Sequence, residues 1–115
     1  MIGILILTHE PLGQAFLATA KHVYKKAPDA VVAIDVQADE DIGLVVERAR
    51  EAIAQLHQIN EVAGVLVLTD VCGATPANCA VRLIEQEPDT ELIYGVSLPV
   101  LLRAINYRNL PLNEL

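Results

Sequence analysis

The chain has 115 residues and a formal net charge of −7. This length predicts a single domain over residues 1–115. Because hydrophobic residues make up 53% and aromatic residues only 3% of the chain, the core is expected to be aliphatic, and intrinsic disorder is excluded. The acidic balance argues against binding to nucleic acid and favours a basic protein partner. No apolar run reaches the roughly 18 residues of a membrane-spanning helix, and no signal peptide is visible, so a cytoplasmic location is predicted.

Four segments rich in Ile, Val and Leu predict four β-strands. They cover residues 2–8, 30–35, 64–69 and 91–96. The first and third lack polar alternation, which is typical of strands that are covered on both faces of a parallel sheet. These two strands are therefore predicted to be the central pair.

The segments between and after these strands predict four amphipathic helices. The predicted inward faces are Leu12, Phe16, Ala20 and Val23 in the first helix; Ile42, Val45, Val46, Ala49, Ile53 and Leu56 in the second; Ala77, Ala80, Val81 and Ile84 in the third; and Leu101, Leu102 and Ile105 in the fourth. The third helix is predicted to open at Thr75-Pro76, and the fourth at Pro99. The alternation predicts an α/β fold, a three-layer open and mostly parallel sheet with helices on both faces.

Ligands of such a sheet bind beyond the carboxyl ends of its strands, where the strand order reverses. His9 follows the first predicted strand and Asp70 follows the third, so the two are expected to face each other. A carboxylate beside an imidazole accepts the Nδ1 proton, fixes the tautomer and leaves Nε2 as a nucleophile. This pair is the candidate catalytic centre.

The residues around this pair suit a phosphoryl group. Gly73 permits close approach of the backbone, and Thr75 opens a helix whose N–H groups favour an anion. The hydroxyls of Thr8 and Thr75 are further hydrogen-bond donors. Ser97 follows the fourth predicted strand and lies at the same edge of the sheet.

Each of these residues also has a purely structural interpretation. His9 is also consistent with an ordinary loop histidine, and Asp70 with a residue that caps the following turn. Cys72 lies beside the same crevice and is either a nucleophile paired with His9 or a buried thiol, whereas Cys79 is interpreted as packing inside a helix. Both cysteines are expected to be reduced, without a disulfide. His22 and His57 are predicted to lie on helix surfaces.

The sequence contains no motif for a metal or a nucleotide. It has no paired-cysteine or His-Glu-x-x-His pattern, no Gly-x-Gly-x-x-Gly and no Walker lysine loop. No metal and no cofactor are therefore expected, and a nucleotide-dependent kinase is disfavoured.

Three segments in order resemble one family. They are Thr8-His9-x-x-Leu12-Gly13, the run from Gly64 to Asn78 that contains Thr69-Asp70-Val71-Cys72-Gly73-Ala74-Thr75-Pro76, and Gly95-Val96-Ser97-Leu98-Pro99. This pattern resembles the mannose-family enzyme IIA component of the phosphoenolpyruvate-dependent sugar phosphotransferase system, which is related to the phosphocarrier domain of dihydroxyacetone kinase. The resemblance covers residues 1 to about 105.

This resemblance implies a phosphocarrier for sugar uptake or a regulatory relay. His9 would take a phosphoryl group from phospho-HPr and pass it to a IIB protein, and Asp70 would orient His9. The residues surrounding the phosphoryl group would be Thr8, Gly73, Ala74, Thr75 and Ser97. The resemblance further implies a homodimer and peripheral association with a membrane sugar permease.

Two other functions remain open from the sequence. One is a regulatory module that binds a partner according to the phosphorylation of His9. The other is a hydrolase that uses Cys72 with His9.

Overall fold

The computed structural model describes residues 1–70, 75–85, 87 and 89–114, and for residues 75–77 it describes the backbone alone. Within these ranges four strands alternate with four helices. In chain order the elements are β1 (Ile2–His9), α1 (Leu12–Tyr24), β2 (Val31–Val36), α2 (Ile42–Gln58), β3 (Gly64–Thr69), α3 (Thr75–Ile84), β4 (Thr90–Ile93) and α4 (Leu98–Asn106), followed by a 3₁₀ turn at Leu112–Glu114. The predicted α/β class is confirmed.

The four strands form one parallel sheet in the order β2-β1-β3-β4. Leu7 of β1 pairs with Ile34 on one side and with Thr69 on the other. The predicted central pair, β1 and β3, is therefore confirmed. Because the chain leaves β1 toward β2 on one side and enters β3 on the other, the strand order reverses between β1 and β3, which is where such sheets bind ligands.

Alternate residues of β1 belong to two separate hydrophobic clusters, one on each face of the sheet. Leu5 and Leu7 pack with α2 and α3 on one face of the sheet, and Ile4 and Ile6 pack with α1 and α4 on the other. All four side chains have no exposed surface. Burial of a Leu or Ile side chain contributes about 1.5–3 kcal/mol, so the central strands hold much of the stabilising free energy.

The predicted inward face of α2 is confirmed: Val45, Val46, Ala49, Ile53 and Leu56 are buried, and Ile42 packs against the same cluster.

The predicted inward face of α1 is partly wrong. Leu12 and Val23 are 42% and 48% exposed. Ala20 is buried and Phe16 contacts the core, as predicted, and the helix also buries Gly13, which the prediction did not include. The reason is that glycine does not count as hydrophobic, so the pattern misses Gly13 at the point of closest packing. The inward face read from the pattern is therefore rotated relative to the real one.

The last strand is shorter than the sequence predicts. β4 ends at Ile93 rather than at residue 96, because Gly95 adopts a left-handed φ of 78° that ends the strand. The N–H groups of Gly95 and Val96 still donate to the carbonyls of Asp70 (2.9 Å) and Thr69 (2.7 Å). The chain that leads into α4 is thereby fastened to the carboxyl end of β3.

The third helix begins within its predicted opening at Thr75-Pro76, and the fourth begins one residue before the predicted Pro99. α3 starts at Thr75 itself and α4 at Leu98. In α3 the residues that the core buries are Cys79, Ala80 and Leu83, whereas the predicted Val81 and Ile84 are only half-buried and the side chain of Ala77 lies outside the description. In α4 the predicted Leu101 is buried.

A buried arginine joins the C-terminal segment to the start of the sheet. Arg108 is 8% exposed, and its Nε and Nη2 donate to the carbonyls of Ile2 (3.1 Å) and Ala30 (3.2 Å). Its own carbonyl accepts from the Ile2 N–H at 2.8 Å. Burial lowers the pKa of the guanidinium, and the charge of Asp29 opposes that shift.

Candidate functional site

His9 and Asp70 meet at the carboxyl edge of the sheet, between β1 and β3. The Nδ1 atom of His9 lies 2.8 Å from Oδ2 of Asp70, and the backbone N–H of His9 donates to the same oxygen at 3.1 Å. One carboxylate oxygen thus holds both the ring and the backbone of the histidine. The parallel register of β1 and β3 produces this approach, since it brings the two strand ends to the same level of the sheet.

The two side chains differ sharply in exposure. The Asp70 side chain is 8% exposed, whereas that of His9 is 45% exposed. A buried carboxylate is well placed to accept the Nδ1 proton, because low exposure strengthens a charge-assisted hydrogen bond. With Nδ1 occupied, Nε2 is the ring nitrogen left to react, and it belongs to a side chain that solvent reaches.

A second carboxylate, Asp35 of β2, caps the helix that follows His9. Its Oδ1 accepts from the N–H of Gly13 at 2.8 Å, and its Oδ2 accepts from the N–H of Gln14 at 3.4 Å. Pro11, at the N-cap position of α1, provides no side-chain cap. The sequence places Asp35 at the end of a strand but does not predict this contact. The only local signal is that no Ser, Thr, Asp or Asn occupies the N-cap position of α1.

Gly13 is required by the close approach of α1 to the sheet. A Cβ at this position would lie 2.5 Å from Oδ1 of Asp35 and 3.0 Å from Oγ1 of Thr8. Thr8 itself has no exposed surface. Because neighbouring residues of a strand point to opposite faces, the Thr8 hydroxyl and the His9 ring project to opposite sides of β1. Among the described residues the structure brings Thr8 to the foot of α1 rather than to the exposed side of His9.

Ser97 caps α4 at the same edge of the sheet. Its Oγ accepts from the N–H of Val100 at 3.3 Å, and the residue is half-buried. The hydrogen bonds of Gly95 and Val96 to the carboxyl end of β3 hold the preceding segment beside Asp70. The cap uses only the hydroxyl oxygen, so the Ser97 proton takes no part in this hydrogen bond.

Several predicted residues fall outside the described part of the chain. Cys72, Gly73 and Ala74 lie there, and of Thr75 only the backbone is described, as the first residue of α3. Cys79 is a free, buried thiol, as predicted, and burial raises its pKa. The predicted surface positions of His22 and His57 are confirmed, since both are exposed.

The described residues contain neither a metal-binding cluster nor a membrane-spanning helix. Over residues 1–70, 75–85, 87 and 89–114, no group of three or more His, Cys, Asp or Glu side chains is arranged to hold a metal ion. In the same part of the chain, no helix has the length and apolarity needed to cross a membrane.

The fold and the site define a class of protein: an open parallel α/β domain with an exposed histidine held by a buried carboxylate at the switch point of the sheet. The family model EIIA-man, described as the PTS system fructose IIA component, matches residues 3–113. The chain belongs to this family, which confirms the resemblance to mannose-type IIA components of the phosphotransferase system (PTS).

Individual relatives agree with this assignment. The chain is 31% identical over 108 residues to the PTS system mannose-specific EIIAB component of Escherichia coli (strain K12), across 94% of this chain and 32% of that protein. It is 27% identical over 108 residues to the PTS system fructose-specific EIIA component of Bacillus subtilis (strain 168), across 94% of this chain and 71% of that protein. The chain thus spans about a third of the length of the E. coli relative.

Solved structures share the fold. A phosphotransferase system component EIIA from Streptococcus agalactiae superposes with a TM-score of 0.82 and 24% identity, over 96% of this chain and 81% of that one. The mannose/sorbose specific IIA subunit from Enterococcus faecalis gives a TM-score of 0.84 and 16% identity, over 98% and 82% of the two chains. At these identities the comparison establishes the fold alone.

Proposed function

We propose that the chain is a phosphohistidine carrier of the sugar phosphotransferase system, with His9 as the phosphorylated residue. The observation that supports this most directly is the 2.8 Å contact between His9 Nδ1 and the buried Asp70 carboxylate, in a chain of the EIIA-man family. The donor would be phospho-HPr and the acceptor a IIB protein. The homodimer and the association with a membrane sugar permease are proposals that rest on the family resemblance alone.

The transfer we propose is an in-line displacement at phosphorus. The lone pair of His9 Nε2 attacks the phosphorus of the donor phosphohistidine, a new N–P bond forms and the donor N–P bond breaks. The donor ring, which carries a proton on its other nitrogen, leaves with that electron pair as a neutral imidazole, and the positive charge passes to the His9 ring, which keeps its Nδ1 proton. Asp70 stabilises this positive charge through its hydrogen bond to Nδ1, as the carboxylate of a catalytic triad does.

This transfer depends on orientation rather than on strong activation. The phosphoryl group is on a histidine before the transfer and on another histidine after it, so reactants and products have similar free energies. Holding the attacking nitrogen in line with the N–P bond removes much of the entropic cost of the reaction. The double hold of Asp70 on the ring and the backbone of His9 is the described feature that supports such orientation.

The phosphoryl group would be bound above the carboxyl edge of the sheet, by residues near the end of β3 and the start of α4. Gly73, Ala74 and Thr75 follow Asp70 in the chain and are proposed to surround it. The Ser97 hydroxyl is proposed to donate to a phosphoryl oxygen while its oxygen caps α4. The Thr8 side chain is fully buried. This burial favours a structural role in packing beneath α1 over contact with the phosphoryl group.

Phosphorylation by the general PTS proteins tests the proposal. The chain is incubated with enzyme I, HPr and phosphoenolpyruvate, and its intact mass is measured before and after acid treatment. The expected result is one acid-labile phosphoryl group on the wild type and none on His9→Gln. His57→Gln is the matched control, because His57 is an exposed histidine of α2 and this variant is expected to label fully. Labelling of His9→Gln would contradict the assignment.

A further inference from the structure

We propose that Asp35 is a positioning residue for His9, an inference that rests on the proposed phosphocarrier function. Asp35 does not contact the reacting atoms. It fixes the segment that follows His9 onto β2, while Asp70 holds His9 itself from β3. In this arrangement the nucleophile is held from both neighbouring strands.

The capping of α1 by Asp35 takes the place of a local cap. Pro11 makes no capping hydrogen bond through its side chain, and the first turn of α1 contains no acidic residue. The N–H groups of Gly13 and Gln14 instead donate to the two oxygens of Asp35. Because a helix end without a cap leaves its N–H groups unsatisfied, the position of α1 depends on a residue from the neighbouring strand.

Two further hydrogen bonds fasten the same segment to β2. The N–H of Glu10 donates to the carbonyl of Val36 at 3.0 Å, and Nε2 of Gln14 donates to the carbonyl of Ala33 at 3.2 Å. Asp35 lies between these two anchors and supplies both oxygens to the helix start. The chain from Glu10 to Gln14 is therefore held on β2 at both of its ends, directly after His9.

The fit of α1 against Asp35 leaves no space for a side chain at the contact. A Cβ on Gly13 would approach Oδ1 of Asp35 to 2.5 Å. Asp35 also occupies two of the N–H groups that the start of a helix otherwise offers to an anion. The proposed binding of the phosphoryl group above the carboxyl edge of the sheet, near the end of β3 and the start of α4, is consistent with this occupation.

A small displacement of the nucleophile has a large effect on an in-line transfer. A shift of about 1 Å can lower the rate by about 100-fold. Loss of the Asp35 carboxylate frees the start of α1, and through Glu10 and Pro11 it loosens His9. The expected effect is on the transfer step, whereas the surface that meets the donor protein keeps its composition.

The test compares three variants of the full chain at a temperature where circular dichroism shows each to be folded. Asp35→Ala removes the cap. Asp35→Asn keeps an amide oxygen that accepts from Gly13. Asp41→Ala is the matched control, since Asp41 caps α2 through the N–H of Gly43 at 3.4 Å. Phosphorylation is followed at saturating and at limiting phospho-HPr, and the ¹⁵N signals of the His9 ring are recorded without phosphorylation.

The expected result separates positioning from stability. Asp35→Ala slows phosphorylation at saturating donor by about 10- to 100-fold, with little change in the half-saturating donor concentration, and shifts the His9 Nδ1 signal. Asp35→Asn stays within about threefold of the wild type, because the shorter of the two cap hydrogen bonds survives. Asp41→Ala leaves both readouts unchanged. If Asp35→Ala fails to fold, Gly13→Ala, which displaces the carboxylate without removing it, is expected to show the same slow transfer.

Two results overturn parts of this scheme separately. A wild-type transfer rate in Asp35→Ala, with unchanged His9 signals, would show that Asp35 only caps α1. No phosphorylation of the wild-type protein would remove the proposed function instead. In that case the His9 signals decide whether Asp35 positions the ring, and their invariance in Asp35→Ala would overturn the inference.

Discussion

Oδ2 of Asp70 accepts hydrogen bonds from both Nδ1 and the backbone N–H of His9, at 2.8 and 3.1 Å. A single atom therefore couples the orientation of the ring to the position of the strand end that carries it. Because Asp70 is nearly buried while His9 is not, the carboxylate is rigidly placed and the reactive side of the ring stays open to a partner.

Asp70→Asn is expected to slow phosphoryl transfer without abolishing it. The amide no longer carries the charge that stabilises the cationic ring, and its NH₂ group favours the wrong tautomer of His9. A carboxylate-to-amide change of this kind in a catalytic triad lowers the rate by about 10⁴-fold, so a loss of about 10²- to 10⁴-fold is predicted here. Single-turnover phosphorylation measures it.

The control for this change is Asp29→Asn. It removes one negative charge from an exposed residue that lies just before β2, away from the carboxyl edge of the sheet. Its rate is expected to equal that of the wild type. An Asp70→Asn rate equal to the wild type would mean that Asp70 serves the structure alone.

Gly13→Ala is expected to lower both stability and transfer. The new methyl group would stand 2.5 Å from the Asp35 carboxylate and 3.0 Å from Thr8, so α1 has to move or its cap has to break. Such overpacking costs about 1–3 kcal/mol of the free energy of unfolding, which urea denaturation measures. Gly43→Ala is the comparison, because a Cβ there meets its nearest neighbour at an ordinary 3.5 Å. That variant is expected to be unchanged or up to about 1 kcal/mol more stable.

Arg108→Met is expected to destabilise the fold by about 1–3 kcal/mol, because it leaves the carbonyls of Ile2 and Ala30 without the guanidinium donors. Arg108→Lys recovers only part of the loss, since one ammonium group does not reproduce the planar fork. Thermal denaturation at neutral pH measures both, with exposed Arg82→Met as the control. A melting temperature of Arg108→Met equal to the wild type would show that these hydrogen bonds add no net stability.

Cys79 is expected to resist alkylation in the folded protein. Burial raises its pKa above the ordinary value of 9.0, so at any given pH the thiolate fraction is smaller than that of a free cysteine, and the reaction is slower. Because the unfolded chain loses this proton more readily, the thiol also makes stability fall as the pH rises above about 9.

The measurement is iodoacetamide labelling of Cys72→Ser at pH 8, followed by mass spectrometry. Labelling is expected to be slow before denaturation and rapid afterwards. Rapid labelling of the native protein would contradict the buried position of Cys79.

The pattern of apolar residues was sufficient to predict the α/β class, the central pair of strands and the proximity of His9 and Asp70. It was less successful where packing depends on small residues or on remote contacts. The pattern misassigns part of the inward face of α1 because Gly13 carries no hydrophobic signal, and it extends β4 too far because the left-handed turn at Gly95 is a backbone feature. The cap that Asp35 provides joins residues 22 positions apart, which no local pattern reveals.

The amino-acid sequence by itself determined which segments become strands and helices, because burial on one or both faces leaves a periodic pattern in the residues. It also determined that a histidine and an aspartate end the two central strands. Only the tertiary structure decided how the site is held. The distances from His9 to Asp70 and from Gly13 to Asp35 depend on strand register and on the seating of α1 against the sheet, and those come from packing across the whole domain rather than from any local stretch of chain.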